Sequence, residues 1–186
     1  MQVPSAITLA GAISSRLAAI CGTRSPLRCA PALLVAIALP VTASAQHVHG
    51  EARLIVGVEG RTGQAELRAT GEDLFGFEHA ARTAEERTKQ TQIFTRLRTE
   101  GAKLLRFDPS LGCQVAAKNV RIDESGDHGE VVASYTINCR VAPQGKPLRF
   151  GISSAFPGID RVSVQLVSDT AQTGATISRD RGQVVP

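Results

Sequence analysis

Histidines are the residues of this chain best suited to chemistry, because a neutral imidazole binds transition-metal ions through a ring nitrogen. The chain contains four of them, His47, His49, His79 and His128. In an extended chain His47 and His49 project to the same side about 7 Å apart, so both can bind one metal ion with bonds of about 2.0–2.1 Å. Cleavage before Gln46 would add a terminal amine as another nitrogen ligand, unless Gln46 cyclises.

The other two histidines each follow a carboxylate that can bind the same metal ion or orient the imidazole. His79 follows Glu78 in an irregular segment, and His128 follows Asp127 in a stretch rich in Gly and Asp. None of the four histidines occupies a position that the apolar pattern assigns to a core. The alternative interpretation is that they are ordinary exposed histidines, which are common, and that the first two merely flank a cleavage site.

No other pattern indicates catalysis. The chain lacks a G-x-S-x-G motif, a phosphate-binding loop and a dinucleotide-binding fingerprint. The acidic pair Glu85–Glu86 is explained by a role at the start of a helix. We therefore expect a binding protein and not an enzyme.

Residues 1–45 have the composition of a cleavable signal peptide. They contain no Asp or Glu, and three arginines precede an apolar run over 30–39 that is followed by Ala43-x-Ala45. The run is too short for a transmembrane helix, which needs about 20 apolar residues. We expect cleavage after Ala45, leaving a periplasmic domain over 46–186 that does not insert into the membrane.

Removing this segment also changes the charge. The whole chain has 21 Lys and Arg against 17 Asp and Glu, and the three arginines that leave reduce the excess from +4 to about +1. A nearly neutral domain gives no reason to expect binding to nucleic acid. The remaining residues suffice for one domain with a single core.

Two cysteines follow the predicted cleavage site, Cys113 and Cys139. Between the two cysteines, apolar and polar residues alternate both before and after the Gly- and Asp-rich stretch, which predicts a β-hairpin. A tip centred on Gly126 places Cys113 opposite Cys139, so we expect a cross-strand disulfide in an oxidising compartment. Val120 and Ile122 break the alternation, which predicts a β-bulge nearer the tip.

The remaining pattern predicts an α+β fold with a single domain, a mainly antiparallel β-sheet and one principal helix packed on it. The helix should begin at Thr83, where Glu86 completes a capping box, and should end near Gly101. A loop is expected over 71–79, with three large apolar side chains that need burial. Further strands are predicted over 52–58, 65–69, 113–117, 131–139, 162–166 and 175–177.

Several segments together resemble the ZrgA-type family of periplasmic proteins associated with zinc uptake. They are His47-x-His49-Gly50, the run Leu-Phe-Gly-Phe-Glu-His-Ala over 74–80, the cysteine pair, and Phe-Pro-Gly-Ile over 156–159 followed by the strand 162–166. The resemblance implies a soluble zinc-binding protein with His47, His49 and His79 at motif positions. This chain departs from the family pattern at Ala81, where proline is usual. It also lacks most of the histidine-rich insert of the family, of which only His128 remains.

Two hypotheses follow. In the first, the protein captures or buffers Zn²⁺ in the periplasm and hands it to a zinc importer, with affinity falling as the pH drops through about 6.5. Cu²⁺ is an alternative at the same ligands, since imidazole and amine nitrogens suit copper. In the second, the domain is a metal-independent accessory or partner-binding module with Leu74, Phe75 and Phe77 as a docking loop.

Overall fold

Two long strands joined by a tight turn form the first hairpin of the described residues. Strands β1 (Glu51–Glu59) and β2 (Thr62–Thr70) pair antiparallel, and Gly60 adopts a positive φ of 53° at the turn between them. The computed structural model describes residues 49–123 and 129–186. The predicted signal peptide, His47 and His128 therefore lie outside the described residues.

The other strands of the described ranges complete two sheets. They are β3 (Leu105–Arg106), β4 (Gln114–Asp123), β5 (Glu130–Asn138), β6 (Leu148–Phe150), β7 (Arg161–Ser168), β8 (Gln172–Ser178) and β9 (Gln183–Val184). The larger sheet has the order β4-β5-β2-β1-β7-β8, and the smaller one has the order β3-β6-β9. The predicted α+β architecture is confirmed.

One strand pair departs from the antiparallel arrangement that short turns led us to expect. Strand β1 pairs with β7 in parallel, with Leu54 beside Val164, whereas the other pairs in both sheets are antiparallel. A hairpin turn imposes opposite strand directions, but β1 and β7 are separated by most of the domain. Their relative direction is therefore set by tertiary packing and not by a local turn.

The β4–β5 hairpin carries the predicted disulfide. Cys113 and Cys139 are bonded, and the adjacent pair Gln114–Asn138 keeps the predicted register. The register shifts by one residue at Lys118, which is the expected bulge. The extra residue explains why the alternation changes parity beyond this point.

One face of the large sheet forms the core. The alternation places apolar side chains of each long strand on this face, while the opposite face exposes polar side chains such as Arg53 and Gln165. The largest fully buried side chains include Tyr135, Phe150, Phe156, Leu54, Leu97, Leu104, Leu105, Leu111 and Ile137. The sheet is therefore covered on one side only.

The principal helix packs on the core face. It is α2 (Ala84–Thr99), accompanied by the short helices α1 (Gly71–Phe75), α3 (Gly101–Leu104) and α4 (Ile152–Ala155). Thr83 and Glu86 form the predicted capping box. Leu97 near the carboxyl end is fully buried, and its carbonyl accepts a 3.0 Å hydrogen bond from the Tyr135 hydroxyl of β5. No helix in the described ranges is long and apolar enough to cross a membrane.

The segment predicted as a loop over 71–79 contains α1 instead. The Thr70 hydroxyl accepts a hydrogen bond from the Asp73 amide at the start of this helix, and Gly76 ends it in the left-handed conformation. A helix of five residues is too short to show periodicity in the sequence. Its apolar side chains Leu74 and Phe75, together with Phe77, are at most 8% exposed. They belong to the core, so the predicted docking loop is wrong.

Candidate metal site

Chain segments that carry predicted ligands leave the large sheet at one end. Thr70, the last residue of β2, pairs with Glu130, the first residue of β5, and Glu130 pairs with Asp123, the last residue of β4. Extending the antiparallel β1–β2 register places Glu51 beside Thr70. We call this edge, defined by Glu51, Thr70, Asp123 and Glu130, the histidine end of the sheet. Its four strand termini span about 15 Å, since neighbouring strands lie about 4.8 Å apart.

His49 is exposed and stands two residues before β1. The next residue, Gly50, is held from two sides. Its amide donates a 2.8 Å hydrogen bond to Oδ1 of Asp73 in α1, and its carbonyl accepts from the amides of Asp160 and Arg161 at 2.8 and 2.9 Å. His49 therefore projects from a fixed point at the histidine end.

Asp73 is a buried acidic residue near the predicted ligands that the sequence patterns did not indicate. It is 8% exposed, and its Oδ2 atom is buried without a hydrogen-bond partner among the described residues. A buried carboxylate oxygen normally has a partner, because losing its water costs free energy. In the sequence Asp73 stands between Glu72 and Leu74 with no distinguishing pattern, and its contact with Gly50 joins segments 23 positions apart.

His79 is exposed, yet its imidazole has a defined orientation. Its Nδ1 donates a 3.0 Å hydrogen bond to the carbonyl of Ala80, and the ring stacks on Phe77 with centroids 5.3 Å apart. In a neutral imidazole this leaves the lone pair on Nε2. That atom lies 3.8 Å from Oε1 of Glu86.

Glu86 belongs to the capping box of α2 and is fixed by it. Its Oε2 atom accepts hydrogen bonds from the amides of Arg82 at 2.6 Å and Thr83 at 3.0 Å. These backbone hydrogen bonds, first from Thr83 and then from Arg82, hold the pKa of Glu86 below its ordinary value, with smaller contributions from the charges of His79 and Arg82. The carboxylate is therefore anionic over a wide pH range and directs Oε1 toward the imidazole.

The start of β5 also contacts this region. The Gly129 carbonyl accepts a 3.2 Å hydrogen bond from the Gly71 amide at the start of α1. A methyl group added to Gly129 would stand 3.4 Å from the Glu78 carbonyl oxygen. The residue that precedes Gly129 in the sequence is His128, which lies outside the described residues. Gly129 thus links the start of β5 to the segment that carries His79.

The described candidate residues, His49 and His79, do not by themselves form a metal site. Within residues 49–123 and 129–186, no group of three or more His, Cys, Asp or Glu side chains converges as metal ligands do. His49 and His79 lie on segments anchored to the same helix, α1. All four histidines, including His47 and His128 outside the described residues, remain predicted ligands.

The disulfide and an open cavity occupy the other end of the sheet. The Cys113–Cys139 bond adjoins the Gln114–Asn138 pair, and Asn138 also pairs with Thr62 at the start of β2. An open cavity of about 610 Å³ lies there as well, lined by β1, β2, β5 and β7 without any histidine or cysteine. Structural cross-linking and candidate metal chemistry are therefore separated along the strands.

A match to a known protein family covers the domain described above. The sequence model of a family described as ZrgA family zinc uptake protein matches residues 46–185. No curated protein matches the chain. The matched range contains both sheets, α1, α2 and all four histidines, which gives the chain a zinc-related role. The chain belongs to the ZrgA family of zinc uptake proteins.

Proposed function

We propose that this protein is a periplasmic zinc-binding protein that captures or buffers Zn²⁺ and delivers it to a zinc importer, without catalysing a reaction. The observation that carries the proposal is the anchoring of two histidine segments to one short helix. His49 directly precedes Gly50, whose amide donates a hydrogen bond to Asp73 of α1. His79 lies a few residues beyond the end of the same helix. Membership of a family of zinc uptake proteins supports the interpretation of this histidine pair as zinc ligands.

The proposed ligands are His47, His49, His79 and His128. Imidazole nitrogens suit Zn²⁺, which commonly takes four ligands in a tetrahedral arrangement. His49 and His79 are both exposed, and an exposed site allows a partner protein to approach the metal ion. This arrangement favours transfer over permanent structural binding, in which the metal is enclosed by protein ligands.

Export to the periplasm is supported by three separate features. Residues 1–45 have the composition of a signal peptide, the family match begins at residue 46, and the domain contains a disulfide. Disulfides persist in oxidising compartments. We propose cleavage after Ala45, which presents His47 and His49 next to the new amino terminus.

The ligand assignment is tested by zinc titration of the purified protein in competition with a chromophoric chelator. Replacing His47 and His49 together by alanine should abolish binding, whereas Val48→Ala, the control between them, should leave it unchanged. A double variant that binds zinc as tightly as the wild type would contradict the assignment. Repeating the titration with Cu²⁺ decides between zinc and copper at these ligands.

Delivery to an importer is tested in the organism that encodes the protein. Deleting the gene should slow growth when zinc is limited by a chelator, and the wild-type gene should restore it. The His47→Ala, His49→Ala double variant, produced at the same level, should fail to restore growth. Full restoration by this variant would separate the biological role from metal binding at these histidines.

A further inference from the structure

Two metal-binding atoms face each other at the start of α2. Nε2 of His79 and Oε1 of Glu86 are 3.8 Å apart, which is too long for a hydrogen bond. The side chains are 39% and 25% exposed, so an ion from solution can reach them. Sequence adjacency pointed to Glu78 as the carboxylate beside His79, but the structure places Glu86 opposite Nε2.

Both side chains are oriented by contacts that leave these atoms available. The Ala80 carbonyl accepts a hydrogen bond from Nδ1 of His79, and the Phe77 ring stacks on one side of the imidazole. Phe77 is itself buried and packs against Phe75 at a centroid distance of 4.5 Å. A histidine whose second nitrogen donates to a carbonyl is the usual arrangement of a metal-binding imidazole.

Glu86 is preorganised in the same way. The capping box uses Oε2, through the amides of Arg82 and Thr83, and leaves Oε1 directed at His79. No reorganisation of the helix is needed for Oε1 to accept a cation. The pair therefore joins a neutral nitrogen ligand to an anionic oxygen ligand, a combination that zinc accepts.

The separation also fits one shared ion. Two ligands bound to zinc at about 2.0–2.1 Å with a tetrahedral angle lie about 3.4 Å apart. The observed 3.8 Å exceeds that by about 0.4 Å, which a small rotation of either exposed side chain can close.

We propose that His79 and Glu86 bind one Zn²⁺ ion together, through Nε2 and Oε1, at the start of α2. This inference rests on the proposed function and adds to it a carboxylate ligand, Glu86. The ion neutralises the carboxylate and occupies the space between two acceptor atoms that make no hydrogen bond to each other. Solvent or other histidines complete its coordination.

The test compares zinc affinities of the full protein and three variants by chelator competition. Glu86→Gln removes the anionic ligand but keeps the capping box, because glutamine also serves at this helix position. Glu85→Gln is the matched control, since Glu85 is exposed in the same first turn and carries the same charge. His79→Ala removes the imidazole.

Glu86→Gln and His79→Ala should each weaken zinc binding by about tenfold or more, whereas Glu85→Gln should change it less than about twofold. Combining the first two substitutions should weaken binding by less than the product of their separate effects, because the side chains act on one ion. Zinc should also shift the Nε2 resonance of His79 in the nitrogen NMR spectrum of the wild type, and circular dichroism should show an intact helix in Glu86→Gln.

Equal affinities for Glu86→Gln and Glu85→Gln, with the wild type binding zinc, would overturn the inference and leave the proposed function standing. The pair would then be a surface ion pair that forms when His79 is protonated. A wild-type protein that binds no zinc would instead overturn the proposed function, so the two failures are distinguishable.

Discussion

At the scale of single residues, the contact between Gly50 and Asp73 fixes the point from which His49 projects. Gly50 adopts a φ of 78°, a conformation that most side chains disfavour, and this lets its amide reach the Asp73 carboxylate. Asp73 is in turn held by the packing of Leu74 and Phe75 in the core. One buried carboxylate therefore couples the fold to the candidate metal site.

Asp73→Ala should lower the free energy of unfolding by about 1–3 kcal/mol, because the Gly50 amide loses its acceptor in a partly buried place. The same substitution should weaken zinc binding, since His49 loses its fixed attachment. Urea unfolding and chelator competition measure the two effects. Glu72→Ala is the control, because this neighbour is exposed and should change stability by less than about 0.5 kcal/mol.

The sequence predicts His79 as a ligand but does not indicate which carboxylate faces it. His79 is predicted as a ligand because it belongs to the motif over 74–80 and does not occupy a position that the apolar pattern assigns to the core. Glu86 was assigned to helix capping, and the structure confirms this role for Oε2. A sequence motif does not show that the other oxygen faces His79, because that depends on how stacking on Phe77 orients the imidazole.

At the scale of elements, one buried tyrosine joins the principal helix to the sheet. Tyr135 of β5 is 2% exposed and donates its hydroxyl proton to the Leu97 carbonyl of α2. Burial raises the pKa of the Tyr135 phenol. The hydroxyl therefore stays protonated in the folded protein, and the hydrogen bond persists at alkaline pH.

This raised pKa predicts an alkaline limit to stability. The contribution of Tyr135 to the free energy of unfolding is complete below the pKa of an unfolded tyrosine, about 10. Above that pH only the unfolded chain ionises, so the contribution falls by up to about 1.4 kcal/mol per pH unit. Urea unfolding at pH 8 and pH 11 measures the loss. Tyr135→Phe should be less stable by about 0.5–1.5 kcal/mol at pH 8, and its disadvantage should shrink at pH 11.

The chain provides a direct check, since it contains one tyrosine and no tryptophan. Near-ultraviolet absorbance of tyrosinate should appear only when the protein unfolds. Ionisation of the folded protein near pH 10, without loss of helix signal, would show that Tyr135 is accessible and would contradict this account.

Local patterns predicted those elements that local interactions determine. The β1–β2 and β4–β5 hairpins and the capping box at Thr83 were correct because turns, alternation and capping act over a few residues. The parallel β1–β7 pair and the small sheet of β3, β6 and β9 were not predicted. Those pairings join distant segments, and strands of two or three residues show no usable alternation.

At the scale of the whole molecule, covalent stabilisation and candidate metal chemistry lie at opposite ends of the sheet. The Cys113–Cys139 disulfide closes one end of the β4–β5 hairpin, while Asp123 and Glu130 mark the other end. This separation predicts that the disulfide supports stability without shaping the metal site.

Replacing Cys113 and Cys139 by serine should lower the free energy of unfolding by about 3–4 kcal/mol, as expected for a loop closed over 26 positions. Zinc affinity should change by less than about twofold while the variant remains folded. Urea unfolding and zinc competition, both at low temperature, measure these quantities. A parallel loss of zinc binding in the folded variant would show that the two ends are coupled.

The export proposal predicts a defined amino terminus. Intact-mass spectrometry of protein purified from the periplasm of an expressing bacterium should give the mass of residues 46–186 with one disulfide, or that mass less ammonia if Gln46 cyclises. The control is a variant with Ala43 and Ala45 replaced by larger residues, which should accumulate uncleaved. A purified chain that retains residues 1–45 would contradict the proposal.

The central claim is that the histidine end of the sheet binds zinc, and equilibrium titration of the metal-free wild-type protein tests it most directly. Isothermal calorimetry at neutral pH should show saturable binding of about one Zn²⁺ per chain, reversed by a chelator. Absence of binding at protein and zinc concentrations of tens of micromolar, in protein that circular dichroism shows to be folded, would contradict the account.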